Sequence, residues 1–300
     1  VRLFGDHLEV IWQHLEAIWA SFGGNFSIIW KSFGQHWLID ESILEKIILA
    51  ANIKASDRIL EIGPGKGALT ERLLDSKAAY IHAIEIDRDL AYGLRRKFSN
   101  HPKFSLTEGD VLSMPLSFKD GLPGNKVVAN IPYNITGPLL EKLLGSLTQE
   151  ASYRFKSLVL LMQKEVADRI LALPGNSAFS ALTVRLQLLG KCNSVCDVSP
   201  VCFYPVPKVD SKVIEIKPYT DNERLSTNIE KNLDILIKVA FSQRRKKLKN
   251  TLKDICSLDV LENIADEIGI TLNERPQELS ILKWVQLSKG IKFNRSSITI

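Results

Sequence analysis

Short apolar runs alternate along most of the chain with stretches of helical periodicity. Arg58-Ile59-Leu60-Glu61-Ile62, Tyr80-Ile81-His82-Ala83-Ile84-Glu85-Ile86, Lys103-Phe104-Ser105-Leu106, Val127-Val128-Ala129 and Ser157-Leu158-Val159-Leu160-Leu161-Met162 are runs of strand length. Their near-continuous apolar character predicts strands covered on both faces, the mark of a parallel sheet flanked by helices. The intervening segments supply the helices: about Glu41 to Ala51 with Asp40 as N-cap, Ala68 to Leu74, and one through Glu165 and Arg169. Val195 to Phe203 and Lys212 to Ile216 read as a closing pair of strands, with Pro205 and Pro207 confined to the loop or edge between them. Pro218 to Glu223 is a polar linker, and from about Thr227 the pattern is mostly helical. The prediction is an α/β domain over residues 31–218 followed by a small all-helical domain over 219–300.

Residues 1–30 stand apart. Trp12, Trp19 and Trp30 lie there, and Leu8, Ile11, Trp12, Leu15, Ile18 and Trp19 follow the spacing of one amphipathic helix. Asp6, Glu9 and Glu16 argue against a secretory signal or a transit peptide. The chain opens on Val, so this extension reads as sequence from upstream of the natural start, and it is assigned no role. At the other end residues 296–300 read as frayed.

Composition narrows the class. With 300 residues and 45% hydrophobic content the chain can bury a sizeable core. No apolar run is long enough to span a bilayer. A net charge of +5 leans mildly toward polyanionic partners. Cys192, Cys196, Cys202 and Cys256 follow no metal or redox spacing and read as reduced packing residues of a cytoplasmic protein.

The first strand runs into Gly63-Pro64-Gly65-Lys66-Gly67 and then a helix. Strand, glycine loop and helix N-terminus let a nucleotide-like ligand approach backbone amides. Counted from Gly65, Thr70 breaks the dinucleotide pattern; counted from Gly63, Ala68 keeps it, so a nicotinamide cofactor is weakened and not excluded. Glu61 ahead of the glycines suits a cationic ligand with an ammonium group, such as S-adenosylmethionine, better than a pyrophosphate. Glu85, about 20 residues past the loop, has the spacing of a ribose-binding acid. Asp110, after the third strand, is placed to accept an adenine amine. Each acid alone reads equally as a cap or a surface charge; together they mark one sheet edge.

The fourth strand ends in Asn130-Ile131-Pro132-Tyr133-Asn134, where Pro132 forbids its continuation. An exocyclic amine of a nucleobase is a poor nucleophile because its lone pair is delocalised into the ring. The Asn130 side-chain oxygen and the Ile131 carbonyl would hold its two hydrogens and gather that pair on nitrogen, with Tyr133 stacking on the base. Transfer from a sulfonium methyl needs this positioning more than it needs a strong base.

These residues fall within a set of motifs that resembles the small-subunit ribosomal RNA adenine N6-dimethyltransferase family (KsgA/RsmA). The motifs are F-G-Q-H-W-L at 33–38, E-I-G-P-G-K-G at 61–67, E-I-D-R-D-L at 85–90, E-G-D-V at 108–111, N-I-P-Y-N-I-T at 130–136, Q-K-E-V-A-D-R at 163–169, F-Y-P-V-P-K-V-D-S at 203–211 and Q-R-R-K-K-L at 243–248. The resemblance implies a class I, Rossmann-like S-adenosylmethionine-dependent methyltransferase sheet with a helical C-terminal domain. It implies dimethylation of two adjacent adenosines in the 3′-terminal hairpin loop of 16S rRNA, in the small ribosomal subunit or its precursor, by a monomer linked to subunit biogenesis. By motif match His36, Leu38, Gly63, Glu85, Asp110 and Asn130 contact the cofactor, with Asn130 also serving the target adenine; no metal is implied. Two departures stand out: many members carry Asn where this chain has His36, and only Lys31 precedes the F-G-Q segment in place of a basic cluster.

Gly175 to Ser180 resembles a loop on the catalytic side in family members, and Phe179 reads either as a second face of an aromatic clamp on the extruded adenine or as a packing residue. Arg244, Arg245, Lys246 and Lys247 read as a helix face that is either solvated or tracks phosphates. Three other functions stay open: a large-subunit resistance-type methylase, which should lack the Y-P-V-P-K-V-D-S segment; an assembly checkpoint in which binding outweighs catalysis; and a nicotinamide-dependent oxidoreductase.

Overall fold

The computed structural model describes residues 36–118 and 121–291. The tryptophan-bearing extension, Lys31, the Phe33–Gln35 part of the F-G-Q motif and the C-terminal tail therefore lie outside the described residues.

A seven-stranded sheet carries the molecule. Its strands are β2 (Arg58–Ile62), β3 (Tyr80–Glu85), β4 (Phe104–Glu108), β5 (Lys126–Asn130), β6 (Ser157–Gln163), β7 (Gly190–Val198) and β9 (Ser211–Pro218), in the order β4-β3-β2-β5-β6-β9-β7. The first five in that order are parallel, and β9 joins β6 and β7 antiparallel. A separate short pair joins β1 (Trp37–Leu38) to β8 (Phe203–Tyr204), Leu38 opposite Phe203. Strand order reverses between β2 and β5, which opens a crevice at their C-terminal ends.

Alternating side chains explain the solid apolar runs. Ile59, Ile81, Val128, Val159 and Val213 face α1 (Glu41–Ala51), α2 (Ala68–Leu74) and α3 (Arg88–Phe98), which contribute Ile43, Leu44, Ile47, Leu73 and Leu94. Leu60, Ile62, Val127, Ala129, Leu158, Leu160, Ile214 and Ile216 point the other way. They meet α4 (Thr136–Leu144), α5 (Lys164–Leu171) and α6 (Ala181–Leu189), and the same core runs on into the C-terminal helices α7 (Thr227–Ser242), α8 (Leu248–Leu252), α9 (Leu258–Ile268) and α10 (Ile281–Gly290). The helical segment begins where the sequence placed it, but its core is continuous with the sheet, and the described residues form one compact unit.

Local chemistry sets the ends. Asp40 caps α1 as read, its carboxylate accepting from the Ile43 amide at 3.2 Å. At the other end Lys126 donates to the Ala51 and Asn52 carbonyls at 2.7 and 2.8 Å and pairs with Asp57 at 2.8 Å. Orphan carbonyls of the helix terminus thus fix the start of β5. Three readings shift. β7 starts at Gly190 rather than Val195, because its pairing with β9 continues to Pro218. Phe203 belongs to β8. Residues 243–247 form a turn between α7 and α8, so Arg244 to Lys247 do not share a helix face.

Candidate active site

Strand register assembles the edge that the motifs marked separately. Ile62 of β2 lies opposite Ala129 of β5, which sets Gly63 beside Asn130. A Cβ built on Gly63 would come 3.7 Å from the Asn130 carbonyl. The Gly63 amide donates to the Ile84 carbonyl at 2.9 Å, and the Gly109 amide to the Glu85 carbonyl at 2.8 Å, tying the tips of β2, β3 and β4 together. Glu85 accepts from the Gly65 and Asp87 amides at 3.1 and 2.9 Å. Burial pushes its carboxyl up, with those amide bonds pulling back. A carboxylate can accept about four hydrogen bonds, so acceptor capacity remains for vicinal hydroxyls. Asp110 spends one oxygen on the Leu112 amide at 2.8 Å.

The glycine loop is a cradle with no room for side chains. Gly65, at φ +58°, would drive a Cβ to 3.0 Å from Cδ1 of Trp37, while Gly67, at φ +86°, would drive one to 2.9 Å from the Phe98 ring. Lys66 Nζ lies 3.8 Å from the centroid of the Trp37 ring, so Trp37 roofs the loop. Behind the loop Glu61 is fully buried, and among the described residues neither its carboxyl oxygens nor the Thr70 hydroxyl beside it has a hydrogen-bond partner. Burial pushes its carboxyl up to about 8, the Thr70 hydroxyl beside it pulling back and the nearby Glu85 adding to the rise. A buried acid behind an amide-lined cradle would be drawn into its charged form by a cationic nucleoside and held neutral by a pyrophosphate.

On the other side of the crevice stands the β5 tip. Asn130 is half-buried, and among the described residues no group bonds its side-chain amide. Ile131 is buried; its amide donates to the Leu161 carbonyl at 2.9 Å, while its own carbonyl is unpaired among the described residues. Pro132 then opens a short 3-10 turn, Tyr133–Ile135. Burial raises the Tyr133 phenol, which stays protonated, and its hydroxyl shares a hydrogen bond of 2.7 Å with Ser211. The His36 ring lies 6.3 Å from the Tyr133 ring at 26°, with Nδ1 2.6 Å from the Pro205 carbonyl, which requires that nitrogen to carry the proton. Leu38 is buried in the core shared with α1, opposite Phe203.

Gly63, Glu85, Asp110, Asn130, Ile131, Tyr133, His36 and Leu38 thus belong to one edge and its roof. Phe179 does not present a face there: it is fully buried, 6.4 Å from the Phe241 ring, which in turn packs against Trp284. Of its two readings, packing is the one the structure gives, because its ring has no exposed face for a base. Arg244 to Lys247 are exposed, and Arg244 reaches the Ser177 carbonyl at 2.5 Å. Sequence reasoning missed Trp37 and Ser211; both stood inside quoted motifs, but nothing in a linear pattern signals which ring roofs a loop or which hydroxyl meets a phenol.

The sequence matches the ribosomal RNA adenine dimethylase family over residues 28–292. It is 58% identical over 261 residues to ribosomal RNA small subunit methyltransferase A of Prochlorococcus marinus (strain MIT 9211), covering 87% of this chain and 93% of that one. The protein of the same name from Synechococcus sp. (strain CC9311) is 56% identical over 261 residues, covering 87% and 94%. A dimethyladenosine transferase from Plasmodium falciparum superposes with a TM-score of 0.70 at 31% identity, covering 86% of this chain and all of that one. The 23S rRNA methyltransferase ErmE shares the fold, with a TM-score of 0.69 at 24% identity over 85% of this chain and 99% of that one. With a family match across nearly the whole chain, the protein belongs to the ribosomal RNA adenine dimethylase family, the S-adenosylmethionine-dependent rRNA adenine dimethyltransferases.

Proposed function

We propose that this enzyme dimethylates N6 of two adjacent adenosines in the 3′-terminal hairpin loop of 16S rRNA, acting on the small ribosomal subunit or its precursor as part of subunit biogenesis. The observation that carries the reading is the β5 tip: an amide and a carbonyl on consecutive residues, both without a partner among the described residues and in register with the glycine loop. Family membership and the names of its relatives support the substrate. Presence of the complete Y-P-V-P-K-V-D-S segment weighs against the large-subunit resistance-type alternative.

S-adenosylmethionine supplies a methyl group on a positively charged sulfur. Glu85 would hold the ribose hydroxyls, Asp110 the adenine amine, and the backbone around Gly63, His36 and Leu38 the remainder. Glu61, fully buried and protonated up to about 8 in the free protein, would gain its charge only as a cation across the loop draws that value down. Asn130 and Ile131 take the two hydrogens of the target amine and concentrate its lone pair, and Tyr133 fixes the plane of the base. The proton lost after transfer leaves from a cationic nitrogen, so no strong base is needed at the tip. The exposed Arg244–Lys247 turn contributes phosphate contacts that position the RNA without reading its sequence.

Incubation with labelled cofactor and unmethylated small subunits, followed by mass mapping, is expected to place two methyl groups on each of two neighbouring adenosines. Asn130→Ala should lower transfer roughly 10²–10³-fold, the usual loss for one oriented polar group at a reacting centre, while subunit binding persists. Label on other bases, or full activity in that variant, would overturn the reading.

A further inference from the structure

Tyr133 opens a 3-10 turn that follows a proline and leads directly into α4, which fixes its backbone but not the angle of its ring. What fixes it comes from far along the chain. Ser211 opens β9 at a position held from both sides, opposite Gln163 of β6 and Val198 of β7. It is fully buried, and its hydroxyl lies 2.7 Å from that of Tyr133, 78 residues away. A buried hydroxyl in a strand is costly unless it is bonded, and this bond goes to the ring at the β5 tip. The same segment holds the neighbouring ring: the Pro205 carbonyl accepts a hydrogen bond from His36 Nδ1 at 2.6 Å. Both rings of the pair are therefore pinned by one stretch, Pro205 to Ser211, from outside the methyl-donor crevice.

We propose that Ser211 is a positioning residue for methyl transfer, holding the Tyr133 ring in the orientation in which it meets the target base. It touches neither reactant and acts through the phenol. The proposal rests on the reading of Tyr133 as the base-facing ring. Loss of the latch lets the ring turn about its side-chain torsions; the cofactor positions on β2, β3 and β4 are untouched and His36 keeps its own bond to Pro205, so the cost falls on turnover rather than on affinity.

The test uses the full chain labelled with 3-fluorotyrosine, whose six tyrosines give few signals. The Tyr133 resonance is identified by its absence in Tyr133→Phe. Ser211→Ala is expected to shift or broaden that resonance, and Ser211→Thr, which keeps the hydroxyl, to restore it. In methylation assays on small subunits, Ser211→Ala and Tyr133→Phe should each lower kcat about tenfold, with S-adenosylmethionine Kd changed less than twofold by calorimetry. The double variant should be no slower than the slower single one, because both remove the same bond. An unmoved resonance in Ser211→Ala, wild-type kcat in that variant, or losses that multiply in the double variant overturns the proposal. Failure of the wild-type protein to methylate small subunits would instead count against the proposed substrate, and the fluorine spectrum would still decide whether Ser211 fixes the ring.

Discussion

Glu61 shows how one side chain can carry a ligand's signature before any ligand is present. A carboxyl with no partner, buried behind a glycine loop, stays protonated well above its ordinary range, up to about 8. The sign of the consequence is fixed. The native state binds this proton more tightly than the unfolded chain, so between about pH 4.5 and 8 its contribution makes stability fall as pH rises. Cofactor-free protein should accordingly lose part of its thermal stability across that window, and Glu61→Gln should flatten the loss while weakening cofactor binding. Melting curves at several pH values decide it; equal slopes in both proteins would assign the pH dependence to other groups. Asn130 makes the complementary point. A neutral amide suffices at the β5 tip because the electrophile is already activated and the amine needs its electrons gathered more than its proton removed.

At the scale of elements, the start of β5 is as important as its tip. Lys126 joins the C-terminal carbonyls of α1 to Asp57, with Asn125 bonding Asp57 at 2.8 Å and accepting from the Arg58 amide at 2.9 Å. β2 and β5 are thereby locked at the crevice's far end, and the register that sets Gly63 beside Asn130 follows. Burial alone would raise the Asp57 carboxyl, but hydrogen bonds from Lys126, the Lys54 amide and Asn125 outweigh it and hold it below the usual range. Its stabilisation is complete above about pH 4 and lost as pH falls through the lowered native value. Lys126→Met should cost roughly 3–5 kcal/mol in urea unfolding, because it leaves a nearly buried carboxylate without its partner. A loss under 1 kcal/mol would show that the network adjusts without it.

At the scale of the molecule, the helical segment is built into the sheet's second face rather than appended to it. Phe179, Phe241 and Trp284 run as one aromatic series between the two, the Gly175 amide donates to the Gln277 carbonyl at 2.7 Å, and Arg244 reaches Ser177. Phe179→Ala should therefore lower stability by roughly 3–5 kcal/mol in one cooperative transition. A variant that kept its stability and lost only kcat would return this ring to a clamp role. Reversing Arg245, Lys246 and Lys247 to Glu should weaken subunit binding and flatten its dependence on salt, with cofactor affinity unchanged. Unaltered salt dependence would leave the turn as a solvated connection. Among the described residues no helix is long and apolar enough to cross a membrane.

Periodicity by itself determined the alternation of strands and helices, since a strand buried on both faces and an amphipathic helix leave different linear patterns. Local motifs determined the glycine loop, the strand-end acids and the Asn130–Tyr133 tip, because each acts through neighbours in sequence. Tertiary structure alone decided the rest. Phe179 reads identically as a clamp or as core until Phe241 is seen against it, and a run of four basic residues reads as a helix face until the helix ends before it. Ser211 and Tyr133 are joined only because β9 enters the sheet antiparallel beside β6. Contacts that depend on strand order carry no trace in a one-dimensional pattern, and here they govern how the reactive tip is held.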